Sequence, residues 1–259
     1  MPPRGTPIRF INGVFHDERC WSESWLACFE KAGFEPKPWN LPGRGTTPPS
    51  PRGLRWTSLG YCANALVDEM TRTGPCPILV GHSLGAMLIE MRLRKLKPPA
   101  AILLAPTRPK AFRRTTLYFA RNHRKLFQES VCKMNTKLVV STKELCRRWF
   151  FCTTTPDEIV NECYGNMVEE SYLVCQELIW RPRVVCRGHT GTPVLVIRAR
   201  EDQSVPAKVV EQVAALHDTI AEPFDDMGHD MMLEPGWQKV AERMIDWLQR
   251  PETKVLSIQ

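Results

Sequence analysis

Pro77-Ile78-Leu79-Val80-Gly81-His82-Ser83-Leu84-Gly85-Ala86-Met87-Leu88-Ile89 runs from an apolar segment, through Gly-x-Ser-x-Gly, into an amphipathic one. That order reads as strand, sharp turn and helix. Such a turn holds its central residue, Ser83, in a strained backbone conformation with the side chain clear of the sheet. Strand and helix then pass close together, so the positions two before and two after the serine must be small. Gly81 and Gly85 meet that need, and Ala86 keeps the next turn small. The helix begins under the serine, and its first N–H groups face any anion formed above Ser83. Roughly one chain of this length in ten contains the pentapeptide by chance, so its weight comes from the flanking strand and helix and from partners downstream.

Outward from that turn, strand and helix alternate. Residues 8–12 read as an early strand and 12–17 as the loop after it. Residues 22–31 read as a helix, with Trp21, Trp25, Leu26 and Phe29 along one face and Gly33 ending it. A second extended piece covers 35–41, a Pro- and Gly-rich loop runs to Gly53, and 57–72 is a helix candidate. Residues 100–105 and 193–199 are apolar throughout, the pattern of parallel strands covered on both faces. A helix over 206–217, a short strand near 220–224 and a last helix over 236–249 follow, with 250–259 a loose tail. The expected fold class is α/β, a mostly parallel doubly wound sheet.

The alternation lapses between residues 107 and 191. That stretch reads as helices over roughly 110–127, 142–151, 156–165 and 167–179, with 137–140 its one strand candidate. Thr155-Pro156-Asp157-Glu158 offers a cap, a proline at the first helical position and acids in the first turn. The expected organisation is a core of 1–106 and 192–259 with a helical cap, or lid, of 107–191. Residues 107–150 carry twelve Lys/Arg against Glu129 and Glu144, a local charge of +10, so the rest of the +7 chain sums to −3. Such a surface attracts acidic substrates or, weakly, an anionic membrane surface. No binding motif accompanies it, which argues against nucleic acid.

Ten scattered cysteines without a Cys-x-x-Cys pair read as reduced, mostly buried thiols rather than a disulfide framework or a metal site. The interval of 11, 12 and 11 residues linking Cys152, Cys163, Cys175 and Cys186 reads as same-face helical packing. No run approaches the roughly 20 apolar residues of a membrane span, and the first residues lack an apolar signal core. The expectation is a cytoplasmic protein, monomer or homodimer, acting without metal or cofactor.

A serine hydroxyl needs a base within hydrogen-bond reach, and the base needs an orienting acid. Of six histidines, His229 lies in Asp226-Met227-Gly228-His229-Asp230, just after the last strand. In a parallel sheet the loops after the strands share one edge with Ser83, so position selects His229. Asp202, again just past a strand end, is the acid. Asp225, Asp226 and Asp230 lie too near His229 along the chain to hold it from behind.

The order Ser83, Asp202, His229 resembles that of the α/β-hydrolase superfamily of esterases and lipases. Gly81-His82-Ser83-Leu84-Gly85 is similar to its nucleophile elbow, Asp202 with Pro206 to its acid loop, and Gly228-His229 to its histidine loop. Leu41-Pro42-Gly43-Arg44-Gly45 resembles its Pro-Gly-His-Gly loop with Arg for His, and residues 228–237 resemble uncharacterised microbial hydrolases of this type. The resemblance implies a cap between the sixth and seventh strands. It also implies an oxyanion hole of backbone N–H groups from Leu84 and, after Asn12-Gly13, Val14. The expected function is hydrolysis of a carboxylic ester, lactone or thioester of a small-molecule acyl substrate through an acyl-enzyme on Ser83. Carbon–carbon bond hydrolysis, hydroxynitrile cleavage, perhydrolysis and a non-catalytic receptor are the alternatives. Phe15, His16, Phe119 and Trp149 are the candidate pocket residues.

Overall fold

The computed structural model describes residues 5–181 and 190–253. Six strands form one sheet: β1 (Thr6–Ile11), β2 (Phe34–Trp39), β3 (Ile78–His82), β4 (Ala101–Leu104), β5 (Val194–Ala199) and β6 (Glu222–Phe224). Their spatial order is β2-β1-β3-β4-β5-β6, and each neighbouring pair is parallel. The apolar runs chosen as covered strands are buried at every position in β3 and β4. Successive side chains leave the sheet on opposite faces. Ile78, Val80 and Phe10 join Trp25 and Phe29 of α1 (Glu23–Lys31) on one side. Leu79, Leu103 and Ala101 join Leu66 of α2 (Leu59–Met70) and Leu88 of α3 (Leu84–Leu96) on the other. Phe10 has no exposed surface. Truncating a phenylalanine in such a site to alanine costs about 3–5 kcal/mol.

The segment between β4 and β5 is helical. It contains α4 (Phe112–Asn122), α5 (Arg124–Lys133), a 3-10 turn (Thr136–Val140), α6 (Lys143–Phe150), α7 (Asp157–Asn166) and α8 (Tyr172–Trp180). In this chain's own count the insert follows the fourth strand, because the described sheet has six; sixth and seventh belong to the family's count. The predicted helix over 110–127 is two helices. His123, with φ −128°, leaves the helical region between α4 and α5, which then runs six residues further than expected. Residues 137–140 are not a strand. The Asn135 side chain accepts from the Lys137 N–H, and Thr136 Oγ1 donates to the Glu170 carbonyl at 2.7 Å, which winds the chain into a 3-10 turn.

Thr155 does not cap α7. Its hydroxyl donates to Glu234 Oε2 at 2.6 Å, and the helix starts one residue past Pro156. Residues 167–171 precede α8 instead of opening it, since the Val168 N–H donates to the Phe15 carbonyl at 2.9 Å. After β5 come α9 (Ala207–Ala215), β6 and α10 (Trp237–Leu248), close to the predicted spans. The expected tail begins as a 3-10 turn, Pro251–Thr253, with Thr253 buried, and its remainder lies outside the described residues. The nine described cysteines are free thiols, six of them buried, Cys28 and Cys175 half-buried and Cys132 exposed; Cys186 lies outside the described residues. No helix of the described residues is long and apolar enough to cross a membrane.

Candidate active site

Because the sheet is parallel, the loops after β1, β3, β5 and β6 open on one edge. Ser83 occupies the turn between β3 and α3 with φ 50° and ψ −109°, a region that side-chain-bearing residues avoid. Its neighbours explain how the turn is tolerated. A Cβ on Gly81 would lie 2.5 Å from the Ala86 nitrogen, and one on Gly85 would collide with the Ile11 carbonyl. Ser83 precedes the first turn of α3 without capping it, so its buried hydroxyl has no hydrogen-bond partner among the described residues.

His229 and Asp202 meet as predicted. His229 Nδ1 lies 2.7 Å from Asp202 Oδ2. The second carboxylate oxygen, Oδ1, accepts from the backbone N–H groups of Ser204 and Val205, each at 2.8 Å. The turn after β5 thus fixes the carboxylate before it fixes the imidazole. Burial pushes the His229 pKa down, but the charge and hydrogen bond of Asp202, helped by the charge of Asp230, raise it above the ordinary histidine value. The His229 ring lies against that of His82, the residue before Ser83, with centroids 4.7 Å apart. The loop after β1 closes the group. A Cβ on Gly13 would sit 3.0 Å from the Ser83 Cβ, which places the buried Val14 beside the serine. Leu84 opens α3, where an N–H has no partner within the helix.

A small cavity over His229 is walled by Val14, Phe15, Phe112, Trp149 and Phe150, with Ser204 at its edge. An apolar chamber adjoins it, sharing Phe15, Phe112, Thr115 and Val139 and continuing to Phe119 and Phe127. Of the predicted pocket residues, Phe15 and Trp149 therefore face the cavity and Phe119 the chamber. His16 does neither. Its Nδ1 lies 2.7 Å from the Val14 carbonyl and its Nε2 2.9 Å from Asp230 Oδ2, which leaves neither ring nitrogen for a ligand.

Asp230 was not singled out from the sequence, yet it organises a second buried group. His16 and His82 both face it, the latter at 3.7 Å while its Nε2 donates to the His229 carbonyl at 3.0 Å. Burial alone would raise the Asp230 pKa; the surrounding imidazoles, His16 foremost through its hydrogen bond and proximity, bring it below its ordinary value. Burial, with the His229 charge, holds His82 down at about 3, so that ring is neutral. The signal in the sequence is an acid directly before the apolar run Met231-Met232-Leu233.

The ligand-type atoms of His16, Cys163 and Asp230 lie within 4.8 Å of one another, as do those of His82, His229 and Asp230. The His16–Asp230 separation is that of a hydrogen bond. It is shorter than the about 3.3 Å between two nitrogen or oxygen ligands of one tetrahedral ion.

Arg44, standing where the resembling loop has histidine, supports the loop after β1. It is buried, donates from Nη1 to the Gly13 carbonyl at 2.7 Å and the His16 carbonyl at 3.1 Å, and pairs through Nη2 with Glu170 of the insert. Burial lowers its pKa to about 10, so it keeps its charge at neutral pH. The Asn12 amide donates to the Gly13 and His16 carbonyls as well. The loop's hydrogen bonds are therefore supplied despite both sequence departures.

The model of the alpha/beta hydrolase family matches residues 10–243. The chain belongs to that family. No curated protein sequence matches it. Solved structures agree on the fold. The BpoC protein of Mycobacterium tuberculosis, assigned as a non-heme bromoperoxidase, superposes with a TM-score of 0.72 at 18% identity over 97% of this chain and 94% of that one. A thermophilic esterase from Thermogutta terrifontis gives 0.68 at 18% identity, over 98% and 92%. The methylesterase MES16 from Arabidopsis gives 0.65 at 16%, over 93% and 98%. At these identities the likeness speaks for the architecture alone.

Proposed function

We propose that this alpha/beta hydrolase cleaves carboxylic esters or thioesters through an acyl-enzyme on Ser83. The observation that carries the reading is the buried His229–Asp202 pair at 2.7 Å, lining a cavity next to the Ser83 turn, with the His229 Nε2 and the Ser83 hydroxyl both unbonded among the described residues. Ser83 Oγ attacks the acyl carbonyl while His229 Nε2 takes its proton. Asp202, anchored by two turn amides, fixes the tautomer and stabilises the imidazolium. The N–H groups of Leu84 and Val14 receive the oxyanion. His229 then protonates the leaving group, and water repeats the sequence on the acyl-enzyme.

The helical insert acts as a cap in this reading. Phe112, Trp149 and Phe150 come from it and roof the cavity, while the apolar chamber takes the acyl part. The test is labelling with a fluorophosphonate probe alongside hydrolysis of p-nitrophenyl esters of graded chain length. The expected result is stoichiometric labelling at Ser83 and turnover that Ser83→Ala abolishes. A Ser83→Ala protein that hydrolyses the esters as well as the parent overturns the assignment.

A further inference from the structure

The cavity over His229 has two neighbours of opposite character. One is the apolar chamber. The other, a groove of about 520 Å³, shares Thr115 and Trp149 with the cavity and reaches Gln203 in the acid loop. Five cations line this groove, Lys110, Arg113, Arg114, Arg121 and Arg148, and no carboxylate does. Other cations of the insert have found acids: Arg108 pairs with Glu90, Lys133 with Glu129 and Arg147 with Asp157. Among the described residues none of the five is in an ion pair. Arg113 Nε donates to the Ile179 carbonyl at 2.8 Å, and Arg148 lies over the Tyr118 ring at 3.6 Å, which orients their guanidinium groups. Cations gathered without acids repel one another and concentrate anions in the groove between them. Arginine forks suit phosphate oxygens.

An acyl compound bound across His229 has its carbonyl in the cavity. With its acyl chain in the apolar chamber, the cationic groove is the neighbour of the cavity left for its leaving group. We propose that the leaving group of the natural substrate is phosphorylated, and that this groove holds its phosphates. The inference rests on the acyl-transfer reading above. Acyl thioesters of a nucleotide-bearing thiol fit the description. Their hydrolysis is redox-neutral: the acyl carbon exchanges its C–S bond for a C–O bond to water, and His229 returns a proton to the departing sulfur. An acyl lipid with a phosphate headgroup shares the chemistry, and the experiment separates the two sources.

Octanoyl-coenzyme A and S-octanoyl-N-acetylcysteamine carry the same acyl group and thioester bond, and only the first carries phosphates. The expected ratio of their kcat/KM values is at least about tenfold at low ionic strength, falling toward one as salt shortens the screening length to about 3 Å near 1 M. The double variant Arg114→Glu/Arg121→Glu collapses the ratio, and a ratio is unmoved by a general loss of folded enzyme. Equal kcat/KM values that ignore salt overturn the proposal, while continued p-nitrophenyl ester turnover leaves the serine-hydrolase reading standing. Should neither thioester react, calorimetry of coenzyme A on the Ser83→Ala protein still reads the groove. Saturable binding lost in the double variant supports the proposal. Co-sedimentation with phosphatidylglycerol but not with neutral vesicles, lost in the double variant, supports the proposal with the lipid as the source of the phosphate, and binding to neither overturns it.

Discussion

Asp202 and Asp230 are both carboxylates facing buried imidazoles, a few ångströms from the same serine turn, and they are wired differently. Asp202 touches one ring, and the far nitrogen of that ring bonds no described residue. Asp230 faces two rings, and each of those also lies within hydrogen-bond reach of a backbone carbonyl, Val14 for His16 and His229 for His82. The first arrangement leaves a nitrogen available to a reacting group. In the second, both nitrogens of His16 are taken up, and the His82 nitrogen that has no partner among the described residues is closed off by Gly13, where an added Cβ would lie 2.8 Å from it. A histidine–carboxylate contact is therefore no mark of catalysis until its remaining nitrogen is followed.

The most severe way to test that contrast is to remove the working members. Ser83→Ala and His229→Ala each lower kcat by about 10⁴–10⁶ with fold retained, read by p-nitrophenyl ester turnover and circular dichroism. Asp202→Asn, which keeps the shape and loses the orienting charge, costs about 10⁴ in kcat. Asp230→Asn sharpens the comparison from the other side. It leaves His16 facing an amide in a buried site, and losing a buried hydrogen bond so that its partner is left unsatisfied costs about 1–3 kcal/mol in urea unfolding. If Asp230→Asn instead matched Asp202→Asn in turnover and spared stability, the two centres would have the roles reversed.

The pH profile offers a finer reading. His229 must be neutral to accept the serine proton, and its pKa lies above the ordinary histidine value because Asp202 outweighs burial. The acid limb of kcat/KM therefore falls above about 6.5, and Asp202→Asn moves it to lower pH. In stability the sign is opposite. A raised pKa in the fold favours the folded state below the unfolded value, and that contribution disappears as pH rises through the folded one. His82, held near 3, adds no limb in the neutral range.

How far the sequence disclosed this depends on which forces were at work. The sheet was legible because its strands are buried on both faces, so runs such as Ile78-Leu79-Val80 lack any alternation that could mislead. Ser83, Asp202 and His229 were legible because parallel strands deliver their following loops to one edge. The insert was read as helical, but its seams were not visible. They are made of single polar side chains reaching distant backbone or buried partners, with no periodicity to announce them. Glu234 accepts from Gly228 N–H, Cys152 N–H and the Thr155 hydroxyl, and Arg44 meets Glu170. His16 was misplaced for the same reason, since its place in the loop after β1 says nothing about Asp230 taking up one of its ring nitrogens.

The smallest effect expected concerns the backbone at Ser83. A side-chain-bearing residue at φ 50° and ψ −109° is held there by its surroundings at a cost of about 1–3 kcal/mol. Ser83→Gly should accordingly resist thermal unfolding better than the parent, by about 1 kcal/mol, while losing all acyl transfer. A parent as stable as the variant would show that the turn is relaxed.

Left to folding free energy alone, position 83 would be occupied by the one amino acid that can do no chemistry there. Every folded copy of this chain thus carries a small standing tension at the Ser83 hydroxyl. Under the acyl-transfer mechanism proposed above, drift toward greater thermal robustness would erase that oxygen first, and only turnover would keep it.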